Sequence, residues 1–193
     1  MPKIHFILIT ALSILMSACG KSDGAGRGSQ HMPQIEISKS SDALADSKID
    51  GVWLLLDREN NYAPESVVVV YNKNGRRYMK MVAIYHGDKI DDTMEKPLEK
   101  AKGIDGNPPL CGMDFVWDLV PADGGKYVGH VVDPDSGSVY KCKVWYDESK
   151  KKLVMRGELL IFGENEYLVP FDINKLPFKI DISKFSPNIP KLD

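Results

Sequence analysis

The stretch "ESVVVVYNKNGRRYMKMVAIY", residues 65–85, constrains this chain most. The run Val67 to Val70 is β-branched and suits a pleated, half-buried backbone far better than a helix. Asn74-Gly75 follows between two such segments. Both residues tolerate positive φ, which the tight turns of two-residue hairpins demand. The stretch is therefore predicted as two antiparallel strands joined at Asn74-Gly75. The same grammar recurs along the chain. "IDGVWLLLD", "MDFVWDLV", "KYVGHVV", "SVYKCKVWYD", "KLVMRGELLIF" and "EYLVPFDI" are short apolar or alternating runs. They are separated by turn chemistry at residues 122–125, 133–137, 148–150 and 163–165. Evenly spaced strands with hairpin joints mean an antiparallel all-β sheet of about eight strands, either a barrel or a sandwich. Eight strands are enough to close a small barrel, which removes exposed edges and leaves an interior for side chains or one small ligand.

Two segments stand apart. Residues 86–110, "HGDKIDDTMEKPLEKAKGIDGNPPL", are polar and carry Pro and Gly. They read as a long loop with a helical turn near Met94 to Lys102. The tail, residues 174–193, alternates Phe178, Ile180 and Ile182 with polar residues, which predicts a short extra strand. Pro177, Pro187 and Pro190 exclude it from a central position. The expected division is 1–18 signal peptide, 19–48 anchor and tether, 49–173 barrel domain and 174–193 extension.

The N-terminus supplies a location. Lys3 precedes an apolar run from Phe6 to Ala18. That run is too short for a bilayer span of roughly 20 residues but has the length of a signal-peptide core. Met16-Ser17-Ala18-Cys19 resembles the bacterial lipobox. The resemblance implies cleavage before Cys19 and a thioether-linked diacylglycerol on it, and two or more acyl chains anchor stably. Gly20 follows rather than Asp, the pattern that goes with the outer membrane in enteric-type bacteria. Residues 20–48 are rich in Gly, Ser and charge and read as a flexible tether. The expected setting is the bacterial cell envelope, on its periplasmic or surface face.

The charges are nearly balanced at net -2, with 43% hydrophobic residues. No basic stripe favours nucleic acid. Lys150-Lys151-Lys152 adjoins Asp147 and Glu148 and reads as a solvated turn.

Several motifs resemble, in order, a family of bacterial exported proteins called domain of unknown function 2147. They are Gly51-Val52-Trp53; Asn74-Gly75 with Tyr78; Asp105, Asn107, Pro108, Leu110 and Gly112; Asp133-Pro134 with Gly137 and Tyr140; and Leu153 with Arg156-Gly157. The resemblance spans roughly residues 49–170. It implies a closed or nearly closed barrel of the lipocalin-like, calycin type, and it implies no activity. Two departures matter. Lys80 stands where the family has Gly. Gly163-Glu164-Asn165-Glu166-Tyr167 lacks the family's Arg, Thr and Trp.

Candidate chemistry is sparse. With Cys19 lipidated, Cys111 and Cys142 remain, either as a disulfide of an exported protein or as two buried free thiols. Asp133 to Gly137 fails the calcium-loop pattern, because Ser138 and Val144 stand where Gly and Glu are required. His86 and His130 have no metal-ligand spacing, and no nucleophile elbow, phosphate loop or dinucleotide fingerprint is present. Neither a metal nor a cofactor is expected. The carboxylate pairs Asp91-Asp92 and Glu164/Glu166 read as solvated, leaving a glycosidase-like pairing as a distant alternative. Arg156 lies mid-strand between Met155 and Gly157. It reads either as an anion-binding charge inside the barrel or as a lock stacked on Trp53 at the barrel bottom. Trp53, Tyr140, Trp145, Trp117 and Tyr146 read as core or barrel-lining residues. The resulting expectation is a non-catalytic barrel that binds a small apolar or amphipathic ligand. The alternative is an envelope scaffold that contacts a protein partner through residues 86–110.

Overall fold

The structure is a computed structural model and describes residues 47–158 and 165–192. Nine strands form: β1 (Gly51–Asp57), β2 (Ala63–Lys73), β3 (Arg76–His86), β4 (Lys89–Thr93), β5 (Asp114–Ala122), β6 (Lys126–Val132), β7 (Val139–Asp147), β8 (Lys152–Glu158) and β9 (Asn165–Pro170). Eight of them pair antiparallel around a ring, β1-β2-β3-β5-β6-β7-β8-β9, and β9 returns to β1. Each strand pairs with its neighbours in the ring, so no edge is left open. The ninth, β4, branches off the end of β3.

The predicted hairpin forms as expected. Asn74 and Gly75 take φ of +56° and +81°, and Lys73 pairs with Arg76 across them. Two positive φ angles match the twist of the flanking strands.

Paired residues in a sheet share a face, so the register assigns every side chain to one side of the wall. Trp53 pairs with Val68, and Leu55 with Ser66. Val68 pairs with Met81, and Ser66 with Ile84. Cys142 pairs with Gly157, and Val144 with Met155. Leu168 pairs with Leu55. These line the interior and are buried together as one apolar core.

The valine run is buried on both faces: Val67, Val68, Val69 and Val70 are all at 0–1% exposure. The inner face meets the core. The outer face of β2 and β3 is covered by residues 94–113 and by the tail. Gly112 donates its amide to Met81 O at 2.7 Å, and Asp114 donates its own to Asn188 O at 3.0 Å. Phe185 packs edge-on against Tyr71 with ring centroids 5.4 Å apart.

The structure corrects two expectations here. No helical turn forms at residues 94–102. Gly87, at φ +63°, instead turns the chain back so that β4 pairs with β3. Asp92, fully buried, then accepts hydrogen bonds from the amides of Leu98 (3.0 Å) and Glu99 (2.8 Å). A carboxylate that binds amides in this way holds a loop in place of a helix. Asp91 is exposed as expected, but its neighbour Asp92 is a buried organiser. The tail forms 3-10 turns at Ile173–Lys175 and Ile182–Lys184 rather than a strand. Asp172 and Asp181 cap those turns through side-chain oxygens, which competes with extended pairing.

Residues 133–137 form the expected turn. Asp133 accepts from the amide of Asp135 at 2.9 Å and from the Ser136 hydroxyl at 2.7 Å. Gly137, at φ +73°, lies against Gly103: a Cβ on Gly137 would stand 2.1 Å from Gly103 O. This approach, with Gly103 N donating to Pro134 O at 2.9 Å, pins the 94–113 segment to the β6–β7 turn.

Candidate functional site

The two ends of the barrel differ. At the end where β1 begins, Ile49 is 1% exposed and plugs the wall. Trp53, on the inner face, donates from Nε1 to Ile49 O at 2.9 Å. Arg77 is 2% exposed. Its Nε donates to Asp50 Oδ1 at 2.7 Å, and its guanidinium lies 4.7 Å from the centre of the Tyr127 ring. A buried arginine is tolerated only with such partners. Planar stacking plus a carboxylate suits guanidinium and not ammonium. This end is locked. Outside the wall, next to it, an open groove of about 460 Å³ runs between Gly51, Val70, Tyr71 and the tail turn at Ile182 to Phe185.

The opposite end is the mouth, where β1 ends and β2 begins. The β1–β2 register shifts there, from Leu55–Ser66 to Leu56–Pro64. Glu65 is the extra residue of this bulge, a place where side chains are commonly re-aimed. Ser66 is at 0% exposure, faces inward with Leu55 and Ile84, and its Oγ has no hydrogen-bond partner among the described residues. An unsatisfied buried hydroxyl costs about 1–3 kcal/mol. Glu65 is partly buried. Burial first, then the charges of Asp57, Glu166 and Glu99, push its carboxyl up to about 7. Glu166 faces inward opposite Met155. Arg58 approaches Glu166 at 3.6 Å. His86 sits between Asp91 and Glu99, with Nε2 at 2.7 Å from Glu99 Oε1. The Glu99 carboxylate is the main cause holding its imidazole above the ordinary histidine value.

The candidates from sequence fall in different places. Trp53 and Tyr140 face inward, Tyr140 opposite Val131. Arg156 and Trp145 face outward, because Arg156 pairs with Lys143 and Trp145 with Val154, the face opposite to Val144 and Met155. Arg156 donates from Nη1 to Asn165 Oδ1 at 3.1 Å, and Lys126 Nζ lies 4.8 Å from the Trp145 ring centre. The arginine inside the barrel end is Arg77, stacked on Tyr127, and not Arg156 on Trp53. Mid-strand position does not reveal parity, and the closure of the ring put Arg156 outside. Cys111 and Cys142 are both buried free thiols rather than a disulfide. They lie in different surroundings: Cys111 near Asp92 and Glu99, Cys142 near Glu158 and Arg156. Burial pushes both thiols up, so neither is a ready nucleophile. Cys19, the expected signal peptide and most of the expected tether lie outside the described residues, as do Gly163 and Glu164.

A buried polar cluster that sequence reasoning missed stands on the outer wall. Lys80, 3% exposed, places Nζ 2.9 Å from Asp114 Oδ2 and 3.0 Å from Gly112 O. The Tyr71 hydroxyl donates to the same carboxylate at 3.0 Å, and the amide of Asn188 also donates to it. This ties the tail to the barrel. Its signal in the sequence was the lysine at the family's glycine position. Ser66 also left a trace, as a lone hydroxyl at the head of a valine run. Glu65 left none, because a bulge has no sequence signature of its own here.

Among the described residues, no helix is long and apolar enough to cross a membrane, and no three His, Cys, Asp or Glu side chains gather to hold a metal ion. No curated protein and no solved structure matches the chain. One family model, described as an uncharacterized protein conserved in bacteria (DUF2147), matches residues 51–169. The match covers more than half of the chain and runs from the first residue of β1 almost to the end of β9. This match identifies the chain as a member of the DUF2147 family.

Proposed function

We propose that this protein is a lipid-anchored component of the bacterial cell envelope, tied through Cys19, whose barrel is a non-catalytic binding module for a small apolar or amphipathic ligand. One observation carries the binding reading. The barrel is locked at the Arg77 end, while at the mouth the inward-facing Ser66 hydroxyl lies buried without a partner. A cost of that kind is relieved when a ligand's polar group reaches the hydroxyl. The envelope setting is supported by the apolar N-terminal segment and the lipobox-like Met16-Ser17-Ala18-Cys19.

The test is native mass spectrometry of the full chain purified gently from its own host, compared with the denatured mass. The expected result is a reproducible adduct lost on denaturation, with a diacylglycerol-sized increment retained on Cys19. A bare polypeptide mass would overturn the binding reading and favour the scaffold alternative. A mature chain with unmodified Cys19 would overturn the anchor.

A further inference from the structure

We infer that the outer face of β7 and β8, rimmed by Lys126 and the β7–β8 turn, lies against an anionic phospholipid surface. This rests on the anchor reading above and adds to it the side of the barrel that meets the membrane.

Register sets the charge of this face. Arg156 pairs with Lys143, Lys141 with Glu158 and Lys152 with Asp147, and all six point outward. Lys126 at the start of β6 and Lys150 and Lys151 in the turn add three cations, and Glu148 adds one anion. Seven cations therefore stand against three anions, in a chain whose net charge is -2. The anions are already engaged: Glu158 lies 2.6 Å from Lys143, Asp147 lies 3.7 Å from Lys150, and Glu148 pairs with Lys48. Lys126, Lys141, Lys151 and Lys152 have no carboxylate partner among the described residues. Cations left together in this way repel one another, and an anionic surface relieves the repulsion.

The face is open. Every outward residue of β7 and β8 is exposed or partly buried except Val154, which lies between Trp145 and Tyr167 in the sheet. Directly across the ring, β2 and β3 are covered by residues 94–113 and the tail. Charge alone would suit an acidic protein equally, but two observations favour lipid. First, the lysines lie on aromatic rings. Lys126 Nζ is 4.8 Å from the centre of the Trp145 ring, and Lys150 and Lys152 are 4.8 Å and 5.8 Å from that of Tyr167. Trp and Tyr suit the headgroup level of a bilayer, where lysine stems lie along apolar surface and ammonium groups reach phosphate. Second, the chain enters the barrel here. Lys48 pairs with Glu148 in the β7–β8 turn, so the segment leading back to Cys19 meets the barrel beside this face. An anchor at Cys19 therefore brings this side of the barrel to the membrane, and each lysine near an anionic leaflet strengthens its hold about fivefold.

The test places the full chain in nanodiscs of phosphatidylcholine, with or without phosphatidylglycerol, that carry a gadolinium-chelate lipid. Amide NMR signals are compared on the two sides of the ring. With phosphatidylglycerol at low salt, Lys143, Trp145 and Val154 are expected to lose at least about threefold more signal than Ser183 and Phe185 of the tail. The difference should vanish in phosphatidylcholine alone, in about 0.5 M NaCl, and in the triple variant Lys126→Gln/Lys141→Gln/Lys152→Gln. Equal loss on both sides, greater loss in the tail, or a difference that survives the triple variant would overturn the inference and leave the anchor standing. A chain that does not stay on the discs would bring down the anchor reading, and the face is then read by co-sedimentation with vesicles of the same two compositions. Salt-sensitive binding to the phosphatidylglycerol vesicles alone, weakened about a hundredfold in the triple variant, would still support the face. Equal binding to both vesicles, or binding to neither, would overturn it. Tighter binding to poly-L-glutamate than to phosphatidylglycerol vesicles would overturn it in favour of an acidic protein partner.

Discussion

Lys80 and Asp114 form a buried ion pair on the outer wall, and removing one member exposes what the pair costs. Asp114 is at 0% exposure and accepts from Lys80, the Tyr71 hydroxyl and the Asn188 amide. Substituting Asp114→Asn leaves the Lys80 ammonium with Gly112 O and the distant rings of Tyr71 and Phe185. Leaving a buried charge without its counter-ion costs about 3–5 kcal/mol. That is a large part of the roughly 5–15 kcal/mol that holds a domain folded. The melting temperature should fall by roughly 10–15 °C. Lys80→Met should cost less, because Tyr71 and Asn188 still satisfy the carboxylate. The double variant Lys80→Met/Asp114→Asn removes both charges and should lie within about 1 kcal/mol of the parent, since a well-packed neutral replacement is often tolerated. Urea unfolding of all four proteins closes the cycle, and hydrogen exchange at Asn188 reports whether the tail detaches in Asp114→Asn. A cost below about 1 kcal/mol for Asp114→Asn, or single effects that simply add in the double variant, would refute the argument.

The stability of the mouth should depend on pH. Glu65 has a folded value raised to about 7 from 4.5, so the folded chain holds its proton longer and stability falls as pH rises from about 4.5 through 7. Glu65→Gln should therefore stabilise by about 1–2 kcal/mol at pH 8, after discounting for partial exposure, and by little at pH 4.5; urea midpoints at the two pH values check it. The His86 clamp follows from a raised histidine value. Its contribution is complete below the unfolded value of about 6.5 and is lost as pH rises through the higher folded value. Amide protection factors in the β3–β4 hairpin, which correct for base-catalysed intrinsic exchange, should fall from pH 6 to 8, and this fall should vanish in His86→Gln. Gly137→Ala should cost about 2–4 kcal/mol, from strain at φ +73° and collision with Gly103 O. Gly75→Ala, at φ +81° with open space around it, should cost only about 1 kcal/mol; thermal melts of the two variants separate clash from strain.

Local chemistry made several elements legible from residues alone. Asn74-Gly75 can adopt two successive positive φ angles, and the turn forms there. Val67 to Val70 is β-branched, and a strand forms there. Asp133 and Ser136 carry short oxygens that bind nearby amides, and the turn at 133–137 follows. Each depends on neighbours within a few residues, so no distant contact is needed to read it. The order of such elements was enough to anticipate an antiparallel all-β sheet of about eight strands, barrel or sandwich, and the family resemblance pointed to the barrel.

Everything that depends on parity or on distant cover was decided by the tertiary fold. A period-two pattern says that neighbouring side chains point oppositely, but only the closing register between β9 and β1 says which of them is inside. That register put Trp53 and Tyr140 on the inner face and Arg156 and Trp145 on the outer. Lys80 is buried because the tail, about a hundred residues later, lands on it with Phe185 and Asn188. Cys111 and Cys142 remain apart because one sits on the segment covering the outer wall and the other lines the interior. The irregularity at the mouth exists because β2 carries one extra residue, Glu65, between Pro64 and Ser66, where its pairing passes from Leu56 to Leu55. Alternation is a local property of the chain, whereas inside and outside are properties of a closed surface, which exists only once the last strand has paired with the first.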